Sequence, residues 1–164
     1  MFGRGGFRRT GYRKVRIAKF VLLLFLVLLL VVTLLIRSFS RGESAEAREA
    51  VIVFYRYEQT GDFGSAWEMF HPYMQQKFNK AQYIKTRNHV ILEHFGVDTF
   101  AFTVGSAKLI GNWTMSFDAP ALSNVYQIPV TQHFQGRTFG LFDLHQEVYA
   151  VKLEGAWRII WDYP

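Results

Sequence analysis

From Phe20 to Ile36 every residue except Thr33 is apolar, and Leu and Val dominate the run. A core helix of a soluble protein keeps a polar stripe along one side, and this stretch has none. Seventeen residues at ~1.5 Å rise reach roughly 26 Å, near the short end for the hydrocarbon core of a bilayer. Ile17 and Ala18, with the stem of Lys19 reaching to the headgroups, lengthen the span to about 20 residues. Each central Leu, Ile, Phe or Val favours insertion by roughly 0.3–0.6 kcal/mol, and no charge within the run opposes them. The pattern predicts a transmembrane helix over residues 17–36.

After it the pattern changes twice. Ser38 to Gly42 reads as polar linker, within a connecting stretch 37–44, and Ser44 is placed to cap a helix ending near Gln59. Ala47, Ala50, Val51, Phe54 and Tyr57 recur at three- and four-residue spacing and give that helix an apolar face. Thr60-Gly61-Asp62 stops it and starts a second helix, with Phe63, Ala66, Trp67, Phe70 and Met74 on one side. Pro72 lacks a donor and clashes with the preceding turn, so His71-Pro72 interrupts this helix. Asn79-Lys80-Ala81-Gln82 has the form of a capping box and opens a third helix through Tyr83, Ile84, Val90, Ile91 and Phe95, closed by Gly96.

Beyond Gly96 the period falls to two. Phe100, Phe102 and Val104 alternate with Ala101 and Thr103, in a strand expected to continue toward Ile110. Val125 to Phe134 forms another, with Tyr126, Ile128, Val130 and Phe134 on one face; Pro129 implies a sheet edge or a bulge. Gln135-Gly136 turns the chain, Glu147 to Leu153 alternates again, and Glu154-Gly155 makes a tight hairpin into a last strand, Ala156 to Tyr163. Three helices followed by four or more antiparallel strands define an α+β domain over residues 45–164, with helices covering one face of a curved sheet.

Charge sharpens the picture. Nine Lys or Arg and no acid lie between Met1 and Arg41, whereas from Gly42 onward ten basic residues meet thirteen acidic ones. The excess therefore belongs to a basic tail, residues 1–16, and its surroundings, and a nucleic-acid-binding domain would need it on the folded surface. Seven of the nine precede the apolar run, so the positive-inside rule places the tail in the cytoplasm and the domain outside. The rival is a cleaved signal peptide, for which Ala45-Glu46-Ala47 has the small-x-small form. That site stands well beyond Ile36, with Arg37 and Arg41 between, and the run exceeds an ordinary signal core. The glycine- and arginine-rich tail (Gly3, Gly5, Gly6, Gly11) reads as disordered, in reach of anionic lipid. With no cysteine in the chain, disulfides and thiolate sites are excluded, a composition shared with many exported Gram-positive proteins.

Three strings in this order resemble the nuclear-transport-factor-two-like domain. They are Gly61-Asp62-Phe63-Gly64-Ser65-Ala66-Trp67-Glu68-Met69-Phe70-His71-Pro72, Phe78-Asn79-Lys80 leading to Tyr83-Ile84, and Val151-Lys152-Leu153-Glu154-Gly155-Ala156-Trp157-Arg158-Ile159. The resemblance covers roughly residues 45–163. It implies a cone, a bent sheet wrapped around helices with a pocket at the open end, and for some members pairing through the sheet face. A strand bearing Gln127, Thr131 and His133 would offer that contact. The family includes isomerases, dehydratases and cyclases as well as modules without catalysis. Its membrane-anchored members serve transpeptidases and conjugation or secretion machines. The chain ends at Pro164, so such a role is expected as a separate accessory protein.

Candidate chemistry is sparse. The isomerases use a tyrosine on an early helix and acids in an apolar pocket; Tyr55, Tyr57, Asp98, Asp143 and Asp162 are of the right type but match no enzyme spacing. A core tyrosine and a solvated strand residue are the bland readings of Tyr57 and Asp162. His89 and His94 are five apart, not four, and His133 and His145 do not close a metal site by themselves. No cofactor or metal is implied. Most of the aromatic load belongs to the core, and Tyr57, Trp67, Trp113, Tyr126, His133 and Trp161 are the residues to line a pocket or an interface. The expectation is a non-enzymatic, membrane-tethered module outside the cytoplasm that binds a protein partner, a second copy or a small ligand. An accessory subunit of a conjugation, secretion or cell-wall machine and a pocket isomerase or dehydratase are the alternatives.

Overall fold

The computed structural model describes residues 10–97, 99–136 and 140–163, with side chains for all of these except 10–18, 37–41 and 92–94. The reading of the N-terminal tail as disordered falls outside the described residues for 1–9 and is corrected from Thr10 onward, where the backbone, Gly11 included, is helical; Asp98 also falls outside the described residues. The chain divides into two units, Met1–Arg41 and Gly42–Pro164.

In the first unit the backbone is helical from Thr10. Within it Lys19–Ile36, 18 residues, is long and apolar enough to cross a membrane, and none of it is buried. The helix α1 is continuous over Thr10–Gln59, so the stretch expected as a linker is helical. Ser44 therefore does not cap; its hydroxyl donates to the Ala107 carbonyl at 2.9 Å. No proline interrupts these residues, and one glycine, Gly42, costs a helix only about 1 kcal/mol.

The second unit is α+β, a set of helices and a curved antiparallel sheet. The helices are the end of α1, α2 (Phe63–Glu68), α3 (Pro72–Lys77), α4 (Lys80–Asn88) and a π-helical segment, His89–His94. The expected second helix is thus two, split at His71-Pro72. His71 N-caps α3 by accepting the Tyr73 N–H on Nδ1, and Pro72 takes the first helical position where its missing donor costs nothing. Burial and the neighbouring Arg158 charge hold the His71 pKa below its usual value, which keeps Nδ1 free as an acceptor. Asn79 caps α4 through the Gln82 N–H at 2.8 Å, and Gly96 ends the helical run at φ +62°.

The strands are β1 (Ala101–Val104), β2 (Lys108–Trp113), β3 (Leu122–Gly136), β4 (Gly140–Leu153) and β5 (Ala156–Trp161). The order is β1-β3-β4-β5, with β2 also on β3. One strand was expected from Phe100 toward Ile110; two form, because Gly105–Ala107 break away. Pro129 was expected at an edge or bulge, yet β3 is central. The Gly105 N–H donates to the Pro129 carbonyl at 2.8 Å, so the donorless Pro129 nitrogen on that same side faces the break between β1 and β2. A Cβ on Gly105 would sit 2.7 Å from Pro129 Cγ, which explains glycine there. Glu154 and Gly155 both have positive φ, +51° and +81°, the conformation of a two-residue hairpin turn.

Ile128, Val130, Phe134, Val148, Ala150 and Ile159 line the inner face of the sheet, and Ala47, Val51, Phe54 and Tyr55 of α1 are buried with them. Hydrogen bonds fix the helix: Arg48 donates to the carbonyls of Gly105 and Val104, and Gln59 to that of Phe100 at 2.6 Å. The outer edge of β5 is covered by the link between α2 and α3, where Ile159 exchanges hydrogen bonds with Met69 and His71 at 2.9 and 2.8 Å. A paired edge gives no template for another strand.

A Cβ added at Gly136 would lie 2.6 Å from the Phe95 carbonyl oxygen, whereas Gly42 has nothing within 4 Å. Gly136→Ala is expected to lower unfolding free energy by about 1–3 kcal/mol. Gly42→Ala, in the helix, should leave it unchanged or raise it by up to about 1 kcal/mol. Urea unfolding of the full chain in detergent measures both.

Candidate functional site

The buried stripe of α1 is Ala47, Val51, Phe54, Tyr55 and then Glu58. An acid on the core-facing side of a helix has to be paired, since an uncompensated buried charge costs several kcal/mol. Glu58 is 1% exposed. The Tyr83 hydroxyl donates to its Oε1 at 2.5 Å, and the Arg87 guanidinium pairs with its Oε2 through Nη2. Tyr83 and Arg87 stand one turn apart on α4, so the cap at Asn79 delivers both to the carboxylate. On the other side the Tyr55 hydroxyl donates to Gln146 Oε1 of β4 at 3.0 Å. Two separate polar contacts thus stand in the apolar interior.

Its charges move the neighbouring titrations. Burial, then the Glu58 charge, pushes the Tyr83 hydroxyl well above the usual phenol range. Burial does the same to Tyr55, where Arg87 opposes and Glu58 adds to the effect. For Arg87 burial works against the charge, but the Glu58 carboxylate and the two tyrosines outweigh it, and its pKa rises. Aromatic rings close around the group: Phe70 lies edge-on to Tyr83 at 5.1 Å and to Trp161 at 4.9 Å, and Phe54 packs on both Phe70 and Trp161. Outside it, between α4 and the end of β5, is a cleft of about 300 Å³ lined by Phe78, Gln82, Tyr83, Thr86, Arg87 and Trp161.

Of the residues singled out from the sequence, Trp161 stands at this cleft, and the others have separate partners. Tyr57 is half-buried against the core. Trp67 donates its indole N–H to the Phe78 carbonyl at 2.7 Å, closing the end of α3. Trp113 stacks on Tyr149 at 4.2 Å. Tyr126, 3% exposed, donates to Glu43 at 3.2 Å and meets Trp157 edge-on. His133 lies on the outer face of the sheet, its Nδ1 2.8 Å from Asp143, while His145 bonds Thr131. Thr131 is part-exposed beside His133, and Gln127 is half-buried farther along β3. Tyr55 is in the core and Asp162 is exposed. The His94 side chain falls outside the described residues.

Glu58 and Arg87 were missed in the sequence. The signal was an acid four residues beyond Phe54, on the stripe itself, matched by a Tyr-x-x-x-Arg on a later helix. Both Glu58 oxygens are engaged and sealed from water, whereas a general base must reach a substrate proton. Among the described residues no three His, Asp or Glu side chains are placed to hold a metal ion. Neither a protein-family model nor a curated protein matches this chain.

The raised tyrosine pKa values set a pH dependence. Folded Tyr83 and Tyr55 keep their protons above the pH at which unfolded tyrosine ionises. Their contribution is therefore full below about pH 10 and is lost as pH rises beyond it. Tyr83→Phe is expected to cost about 1–3 kcal/mol at neutral pH and to flatten the alkaline decline. Denaturant titrations of both proteins from about pH 8 to about pH 11 test this; equal declines contradict it.

Proposed function

We propose that this chain is a non-enzymatic binding module tethered to the cell membrane by its N-terminal helix. Its nuclear-transport-factor-two-like domain stands on the outer side, where it binds a protein partner or a small ligand at the envelope. The observation that carries the reading is the apolar helix Lys19–Ile36, all of it exposed, with six Lys or Arg before it and Lys19 at its start. Apolar side chains of that number on an unpartnered helix are at home in lipid. The order of helices, then a curved antiparallel sheet closing on a tight hairpin, supports the cone family. The engagement of both Glu58 oxygens supports binding over catalysis. A pocket isomerase or dehydratase is the second reading, favoured by the 2.5 Å contact of Tyr83 with Glu58. An accessory role in a conjugation, secretion or cell-wall machine is a special case of the first.

The chain has no cysteine, so single substitutions report topology directly. In intact cells a membrane-impermeant maleimide is expected to label Gln76→Cys, an exposed residue, and to label Gly5→Cys only after lysis. The opposite pattern overturns the proposed orientation. Loss of the Gly5→Cys signal from protein that retains the domain would mean a cleaved leader in place of a tether.

A further inference from the structure

His71 joins α3 to the sheet. Its backbone N–H donates to the Ile159 carbonyl of β5 at 2.8 Å, and its carbonyl accepts the N–H groups of Met74 and Gln75 at 2.9 and 3.1 Å. Its ring caps α3, with Nδ1 accepting the Tyr73 N–H at 3.2 Å. Helix caps are usually Ser, Thr, Asp or Asn, which accept through oxygen. The acceptor here is a nitrogen, which in a free side chain takes up a proton at about pH 6.5. The ring is 4% exposed, and nothing beside it favours a positive charge. From β5 comes the Arg158 guanidinium, which donates to the Glu68 carbonyl at 2.7 Å and opposes a second cation. Glu68, at the end of α2, has its carboxylate on Lys80 at 2.6 Å. From α3 comes the Tyr73 ring, edge-on to the imidazole at 4.6 Å.

We propose that His71 is a proton-operated latch on α3. With a proton on Nδ1 the ring presents a donor to the Tyr73 N–H, itself a donor, so it leaves the cap and the first turn of α3 loosens. Phe70 before it and Met74 after it are buried, at 1% and 0% exposure. They confine the change to the three residues between them, His71, Pro72 and Tyr73. Tyr73 is also a wall of a groove of about 420 Å³, lined with it by Gln76 and Lys77 of α3 and by Met115 and Pro120 from the connection between β2 and β3. Acid therefore reshapes this groove while the core stays packed. Burial and the Arg158 charge lower the folded pKa, so the unfolded chain takes the proton first as pH falls. The latch is closed above about pH 6.5 and is lost as pH falls through the lower folded value. The inference stands apart from the binding-module reading, since it needs only the cap.

The test is an NMR titration of the full chain in detergent, with nitrogen-labelled tyrosine and carbon-labelled histidine. The Tyr73 amide is assigned through Tyr73→Phe and the His71 ring through His71→Asn. Spectra run from about pH 7.5 to about pH 4.5. The Tyr73 amide is expected to move with the same midpoint as the His71 ring, below about pH 6.5, while the amides of Tyr55 and Tyr83 in the core stay in place. His71→Asn keeps a capping oxygen across that range and should abolish the Tyr73 shift. His71→Ser serves in its stead where His71→Asn does not fold. A Tyr73 amide that stays still, or that moves as before in the capped variant, overturns the latch. So does movement of Tyr55 and Tyr83 at the same midpoint, since that is unfolding of the whole domain. The cysteine-labelling result is read independently, so that failure leaves the tether and its orientation standing.

Discussion

The Glu58 carboxylate lies in the interior of the domain, bonded to Tyr83 and Arg87, and both of these side chains answer to that charge. Taking a carboxylate out of water costs several kcal/mol, and the cost is met only by an opposite charge and hydrogen bonds of good geometry. Tyr83 and Arg87 supply both, and both come from α4. The pair therefore sets the rotation of α4 about its axis and its register along α1, as apolar contact alone would not. Tyr55 makes a second, separate tie from α1 to Gln146 in the sheet.

This arrangement also shapes what the domain offers to a ligand. Arg87 is drawn inward by Glu58 and, with Trp161, lines the cleft beside it. The carboxylate itself is engaged on both oxygens, by Tyr83 and by Arg87.

Local chemistry was readable residue by residue. Asn79 caps its helix, Pro72 breaks the chain into α2 and α3, and Glu154-Gly155 turns the last hairpin because each acts within a few residues of itself. Long-range geometry was less so. The gap between β1 and β2 exists because Gly105 meets Pro129 across the sheet, a contact between residues 24 positions apart. Without it Pro129 reads as an edge residue. Residues 37–44 read as a linker, yet a helix already formed on both sides carries the backbone through them. Glu58 was hidden for a related reason. On a helix that is half polar an acid looks solvated, and only its partner 29 residues away reveals that it faces inward. Trp161 stood among six residues expected at a pocket or an interface, and its place beside α4 emerged only with the packing.

The coupling between Glu58 and Arg87 is the most direct measure of this account, read by a double-mutant cycle of Glu58→Gln and Arg87→Met in urea unfolding of the full chain. Arg87→Met alone leaves a buried charge unpaired and is expected to cost about 3–5 kcal/mol, and the second substitution should recover a large part of it. Two single costs of less than about 0.5 kcal/mol that simply add would mean that the carboxylate is not held in the interior, and the account of the fold and its cleft would be contradicted.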